Sequence, residues 1–93
     1  MVIGVCTVAL RIPGAASLKD KRRAIKSLKD RLHNQFNLSV AETGDLELWQ
    51  RATLGLAAVS GDPRHCDEVL AKAVDYIRRS NSVELLDYHT EIR

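Results

Sequence analysis

Residues 17–36 read SLKDKRRAIKSLKDRLHNQF. Leu18, Ile25, Leu28, Leu32 and Phe36 recur at steps of 7, 3, 4 and 4. At about 100° per residue they fall within about 80° of one another, which predicts an amphipathic helix over roughly 18–36. Ser17 followed by Asp20 places a capping pattern at its start, and an acid there also suits the positive end of a helix. Asn37 is the expected closing residue, in the left-handed conformation that Asn tolerates.

The flanks of this helix settle the fold. Upstream, residues 2–12, VIGVCTVALRI, are β-branched and aliphatic and read as a long, largely buried strand that Pro13-Gly14 breaks. Downstream, LSVAE (38–42) reads as a short strand, residues 43–48 as a turn around Gly44-Asp45, and WQRATLGLAAVS (49–60) as a third strand. Gly61-Asp62-Pro63 is a stop followed by a start, with Asp62 as N-cap and Pro63 as first helical residue. Cys66, Val69, Leu70, Ala73, Val74 and Ile77 supply the apolar stripe of a second helix over 63–79. After Ser80-Asn81-Ser82, VELLDYHTEI (83–92) reads as a last strand.

The order is βαββαβ. Each helical crossover joins parallel strands, and a short hairpin joins strands two and three. One compact solution satisfies both: a ferredoxin-like α+β fold, a four-stranded antiparallel sheet with two helices packed on one face. Val2, Cys6, Val8, Leu10 and Ile12 then line the helix-covered face. Ile3, Val5, Thr7, Ala9 and Arg11 line the other, which is half apolar and has no helix to cover it. That face, with Thr53, Ala57 and Val59, suits either a tolerated open sheet or an isologous homodimer.

A chain of 93 residues makes one domain, residues 1–93. With 45% hydrophobic and 28% charged residues it has the composition of a folded protein. No apolar run spans a bilayer and no signal-peptide pattern is present, so a cytoplasmic protein with no membrane role is expected. Cys6 and Cys66 stand 60 residues apart, neither a disulfide framework nor a metal-clip spacing. Together with His65 they form only a weak metal candidate, and no cofactor is expected.

The net charge of +2 conceals a strong asymmetry. Residues 18–32 hold seven Lys/Arg against two acids, a net +5, and the remainder holds seven against ten, a net −3. Lys19, Arg22, Arg23, Lys26 and Lys29 cluster within about 120° of the helical wheel, away from the apolar stripe. Surface helices ordinarily interleave acids four residues from their bases. Unpaired repulsion of this kind suits an extended polyanion, and Lys21 stands beside the stripe as a flanking contact. The same five cations also fit a merely solvated face.

The signatures of base-stacking and loop-clamping RNA modules are absent: neither strand one nor strand three has an aromatic in its interior, and no GxxG occurs. The loop before the first helix has one Gly and no phosphate-binding fingerprint. No nucleophile–base pair stands out, so no catalytic residue and no enzyme are expected. Trp49-Gln50-Arg51 is a candidate partner-contact edge. The larger expectation for Trp49, the only Trp, is that its ring lies mostly buried as a lid on the core, with Gln50 and Arg51 supplying polar recognition.

Three blocks in order carry a family resemblance: Ser17-Leu18-Lys19-Asp20-Lys21-Arg22, Asn37-Leu38-Ser39-Val40-Ala41-Glu42, and Leu48-Trp49-Gln50-Arg51-Ala52. Over about residues 1–80 the chain resembles the YlxP-like family, a bacterial group of unknown molecular function and ferredoxin-like fold. Genes of that family tend to lie among those for translation initiation and ribosome maturation, so the resemblance implies a ribosome-related role. It carries no established catalytic residues. A polar residue often precedes the serine of the first block in this family, where the present chain has Ala16. The resulting expectation is a non-enzymatic RNA- or ribosome-associated module that meets phosphates through its basic helix. The alternative is a homodimeric or protein-interaction domain that uses the open sheet or the Trp49 edge.

Overall fold

Burial alternates along the first ten-residue strand, β1 (Val2–Arg11), because successive side chains point to opposite faces of a sheet. The computed structural model describes residues 1–93. It continues through α1 (Leu18–Gln35), β2 (Ser39–Gly44), β3 (Arg51–Ser60), α2 (Pro63–Arg78) and β4 (Glu84–Ile92). The four strands form one sheet in the order β2-β3-β1-β4, each neighbour antiparallel. This is the ferredoxin-like α+β arrangement that the element order predicts.

Local chemistry sets the helix ends. Ser17 Oγ accepts from the Asp20 N–H at 3.1 Å, and Asp20 Oδ2 accepts from the Ala16 N–H at 3.0 Å. Two backbone donors are thereby satisfied at the start of α1. Asp62 caps α2 in the same way, Oδ1 accepting from the Arg64 N–H at 2.9 Å. The end of α1 departs from expectation. Phe36 is extended there, with φ −136°, and Asp45 rather than Asn37 is the non-glycine residue at positive φ. Phe36 turns out of the helix to set its ring edge-on to Tyr76 of α2, with centroids 6.0 Å apart, and its N–H still reaches Leu32 O.

The core lies between the sheet and the helices. Cys6, Val8 and Leu10 of β1 and Ala52, Leu54, Leu56 and Ala58 of β3 meet Ile25, Leu28 and Leu32 of α1 and Cys66, Leu70, Ala73, Val74 and Ile77 of α2. A register shift between Ala9 and Leu10 adds one residue to β4. Leu85 and Tyr88 therefore both fall on the helix side, opposite Leu10 and Val8. Gly4 marks the closest approach of α2 to β1. A Cβ built there would lie 2.8 Å from Leu70 Cδ1 and 3.0 Å from Cys66 Cβ.

Both cysteines are buried and unpaired. Cys66 Sγ donates to Ala58 O at 3.5 Å. Burial pushes the Cys6 thiol up, and hydrogen bonds from the Thr90 side chain and the His89 backbone offset only part of that rise. His65 is exposed, so the weak metal candidate does not assemble.

Two stability predictions follow from this packing. Gly4→Ala should cost about 1–3 kcal/mol by urea denaturation, because the added methyl overpacks the α2 contact. A raised thiol pKa means that the native state holds its proton while the unfolded state releases it. The Cys6 contribution should therefore be intact below the free thiol's ionisation, about pH 8.5, and decline as pH rises above it. Urea midpoints from pH 7 to 10 measure this, and Cys6→Ser should flatten the alkaline part of the profile.

Candidate nucleic-acid interface

The basic stripe of α1 stands on the surface as a continuous feature. Lys19, Arg22, Arg23 and Lys26 are exposed and Lys29 is half-buried. Only Lys26 of these five has a carboxylate within ion-pair distance, Asp30 at 2.9 Å. Lys19, Arg22, Arg23 and Lys29 have none. Exposed pairs such as Lys26–Asp30 contribute under about 1 kcal/mol, so the stripe stays electrostatically open. Lys19 to Lys29 covers about 15 Å along the helix axis, longer than a single phosphate.

The stripe also has a direction. The core side of α1 is set by Ile25, Leu28 and Leu32, and Arg31 marks the flank toward α2. Arg31 donates to Ser80 Oγ at 3.4 Å and lies 5.9 Å from the Tyr76 ring centroid. The five cations lie on the opposite flank of the wheel, centred about 130° from the core direction. They therefore turn away from α2 and toward the β2 edge of the molecule.

Lys21 is a correction to the sequence reading. It is not a surface contact: its side chain is fully buried, with 0% exposure. Its ammonium donates to Asp45 O at 2.8 Å, Leu46 O at 3.2 Å and Arg51 O at 3.2 Å. Glu42 Oε2 lies 3.0 Å away as the counter-charge. An ammonium has three N–H donors, and here all three go to carbonyls. Glu42 Oε2 thus has the charge pairing without a hydrogen bond of its own. The signal was present in the sequence, since Lys21 stands three residues after Leu18, four before Ile25 and seven before Leu28. Those spacings put it in the apolar stripe. Its acceptors, 24 to 30 residues away, could not be read from that pattern.

Trp49 is a second correction. The indole is 55% exposed rather than a core lid. β3 begins at Arg51, so Trp49 precedes the strand and its alternation. Ile12, Ala15, Lys21 and Ala52 are the buried residues at this end, and the core closes without the ring. Leu46 and Leu48 in the same loop are 57% and 47% exposed. Gln50 is structural as well as exposed. Its side-chain amide donates to Ala15 O at 3.0 Å and Pro13 O at 3.5 Å, and its carbonyl accepts from the Ile12 N–H at 2.8 Å. Arg51 is exposed, pairs in register with Arg11 on the uncovered sheet face, and has no carboxylate partner. Arg11 has Glu84 at 3.7 Å.

The uncovered face is only moderately apolar. Val59 is 60% exposed, while Ile3, Val5, Thr53 and Ala57 are half-buried. His89 and Glu91 of β4 and the following Arg93 add a polar row, with Glu91 Oε1 3.2 Å from His89 Nε2 and Glu91 Oε2 accepting from Arg93 at 3.1 Å. Those hydrogen bonds, the Arg93 bond first, hold the Glu91 carboxyl below its usual range. No helix is long and apolar enough to cross a membrane.

The fold and this surface define a ferredoxin-like domain with a one-sided basic helix and a loop locked to that helix by a buried lysine. A family described as "Protein of unknown function (DUF503)" matches residues 3–90, and the chain belongs to it. It is 33% identical over 90 residues to "Uncharacterized protein YlxP" of Bacillus subtilis (strain 168), covering 97% of this chain and 98% of that protein.

Removing the buried lysine tests the lock. Lys21→Met should cost about 3–5 kcal/mol, because it strands three carbonyls and leaves the Glu42 charge uncompensated. Lys21→Met combined with Glu42→Leu should recover part of that loss. Urea midpoints measure both, and amide exchange over residues 45–50 should accelerate in the single variant.

Proposed function

We propose that this protein is a non-enzymatic RNA- or ribosome-associated module that binds the phosphate backbone through the outer face of α1. One observation carries the reading: four of the five stripe cations, Lys19, Arg22, Arg23 and Lys29, have no carboxylate within 4 Å although the chain holds twelve acids. A face selected only for solubility mixes its signs. A face that meets a polyanion keeps its cations open, and their uncompensated repulsion is relieved on binding. The stripe's length suits several phosphates, and its tilt toward β2 leaves it clear of α2.

The uncovered sheet face supports a second reading, an isologous homodimer through Ile3, Val5, Ala57 and Val59. Sedimentation at tens of micromolar tests this second reading, because a single 10.4 kDa species rules the dimer out.

Salt dependence tests the first reading. Five phosphate contacts to single-stranded RNA should give a slope of about −3.5 in log affinity against log salt. Reversal of Arg22, Arg23 and Lys26 together to Glu should abolish binding with the melting temperature nearly unchanged, since all three side chains are exposed. Co-sedimentation with ribosomal subunits at two salt concentrations extends the test to the assembled particle. Binding that survives the triple reversal removes α1 as the site.

A further inference from the structure

The loop between β2 and β3 combines features that no structural role in the chain explains. Trp49, Leu46 and Leu48 are all largely exposed. An exposed apolar loop is ordinarily mobile, yet this one is held at both ends. The buried Lys21 ammonium fixes the carbonyls of Asp45, Leu46 and Arg51, and Gln50 fixes the loop to residues 12–15. Asp45, at φ 58°, turns the chain and closes on β3, its Oδ2 accepting from Thr53 Oγ1 at 3.2 Å. Holding the backbone on both sides of a large exposed aromatic lowers the ordering cost of whatever binds it.

We infer that Trp49 is a stacking platform for an unpaired nucleobase, placed at the end of the α1 phosphate track, so that the protein prefers single-stranded over duplex RNA; this rests on the α1 reading above. The placement comes from Lys21. Its own side chain spans the distance between the first two turns of α1, which bear Lys19, Arg22 and Arg23, and the backbone of the Trp49 loop. A strand whose phosphates follow α1 toward its N-terminus reaches the end of the molecule where Gln50 ties the Trp49 loop to residues 12–15. Arg51, two residues beyond Trp49 and without an acid partner, adds a cation on the sheet side. Four cations at this end, Lys19, Arg22, Arg23 and Arg51, stand against three acids, Asp20, Asp45 and Glu47, and two of those acids are tied to the Ala16 N–H and Thr53 Oγ1. That balance of charge favours a polyanion over an apolar protein cleft, although Leu46 and Leu48 would suit either. Stacking on an indole face tolerates any base, which matches a site with no base-reading polar groups.

The sole Trp makes the test direct. The free protein should emit at long wavelength and be readily quenched by acrylamide. Three probes are titrated at low salt: a ten-nucleotide single-stranded RNA of mixed sequence, a ribose-phosphate chain of the same length without bases, and a ten-base-pair RNA duplex. The single strand should bind most tightly and quench the indole, while the baseless chain and the duplex bind without quenching. Trp49→Leu should weaken single-strand binding roughly 5- to 150-fold, the effect of one lost stack, and leave the baseless chain unaffected. Trp49→Phe should restore most of the affinity. Single-strand binding without quenching, or an equal loss on both probes in Trp49→Leu, overturns the inference while leaving the α1 reading standing. Failure of all three probes to bind overturns both.

Discussion

The Lys21 ammonium has no contact with solvent, and three backbone carbonyls from a segment more than twenty residues away surround it. Burying an ammonium is costly unless its donors and its charge are both satisfied. Three carbonyls satisfy the donors and Glu42 of β2 supplies the charge. The cost of breaking any part of this set is high because each remaining group would be left buried and unpaired. The consequence is structural coupling: the second turn of α1, the end of β2, the β2–β3 loop and the start of β3 hold one geometry together. A lysine suits this better than an arginine, since three donors spread from one nitrogen match three converging carbonyls, whereas a guanidinium presents a flat fork.

That coupling gives the surface its form. The basic stripe of α1 and the exposed loop would otherwise be two unrelated features of a small domain. Lys21 is a cation that the helix turns inward, and its neighbours Lys19, Arg22 and Arg23 are the cations it turns outward. The inward one fixes where the loop sits relative to the outward ones. The Arg31–Tyr76–Phe36 contact fastens the other end of α1 to α2, so the helix is held near both ends and its outer face is presented as a rigid strip.

The packing elsewhere is ordinary for the fold. Both thiols are core groups, one bonded to a strand carbonyl and the other raised by burial, so neither is poised as a nucleophile. The Gly4 contact shows how closely α2 lies on β1.

Much of this was legible in the sequence because it is local. Period-3.6 and period-2 patterns, the Ser17–Asp20 and Asp62–Pro63 starts, and the Pro13-Gly14 and Gly61 breaks each act within a few residues, and together they determined the element order and the ferredoxin-like topology. The basic stripe was legible for the same reason, since residues three and four apart share a helix face. What depended on distant partners was not. Lys21 looked like one more surface cation because its acceptors belong to another hairpin, although its place in the apolar stripe marked it. Trp49 looked like a core residue because size and apolarity favour burial, but β3 starts two residues later and smaller side chains already close that end. Asn37 was a reasonable left-handed terminus by itself, and the pairing of Phe36 with Tyr76 extended the chain there instead. Sequence periodicity determined which face each residue would take within its own element; only the tertiary structure decided which faces met, because those contacts form between elements whose separation the local pattern does not encode.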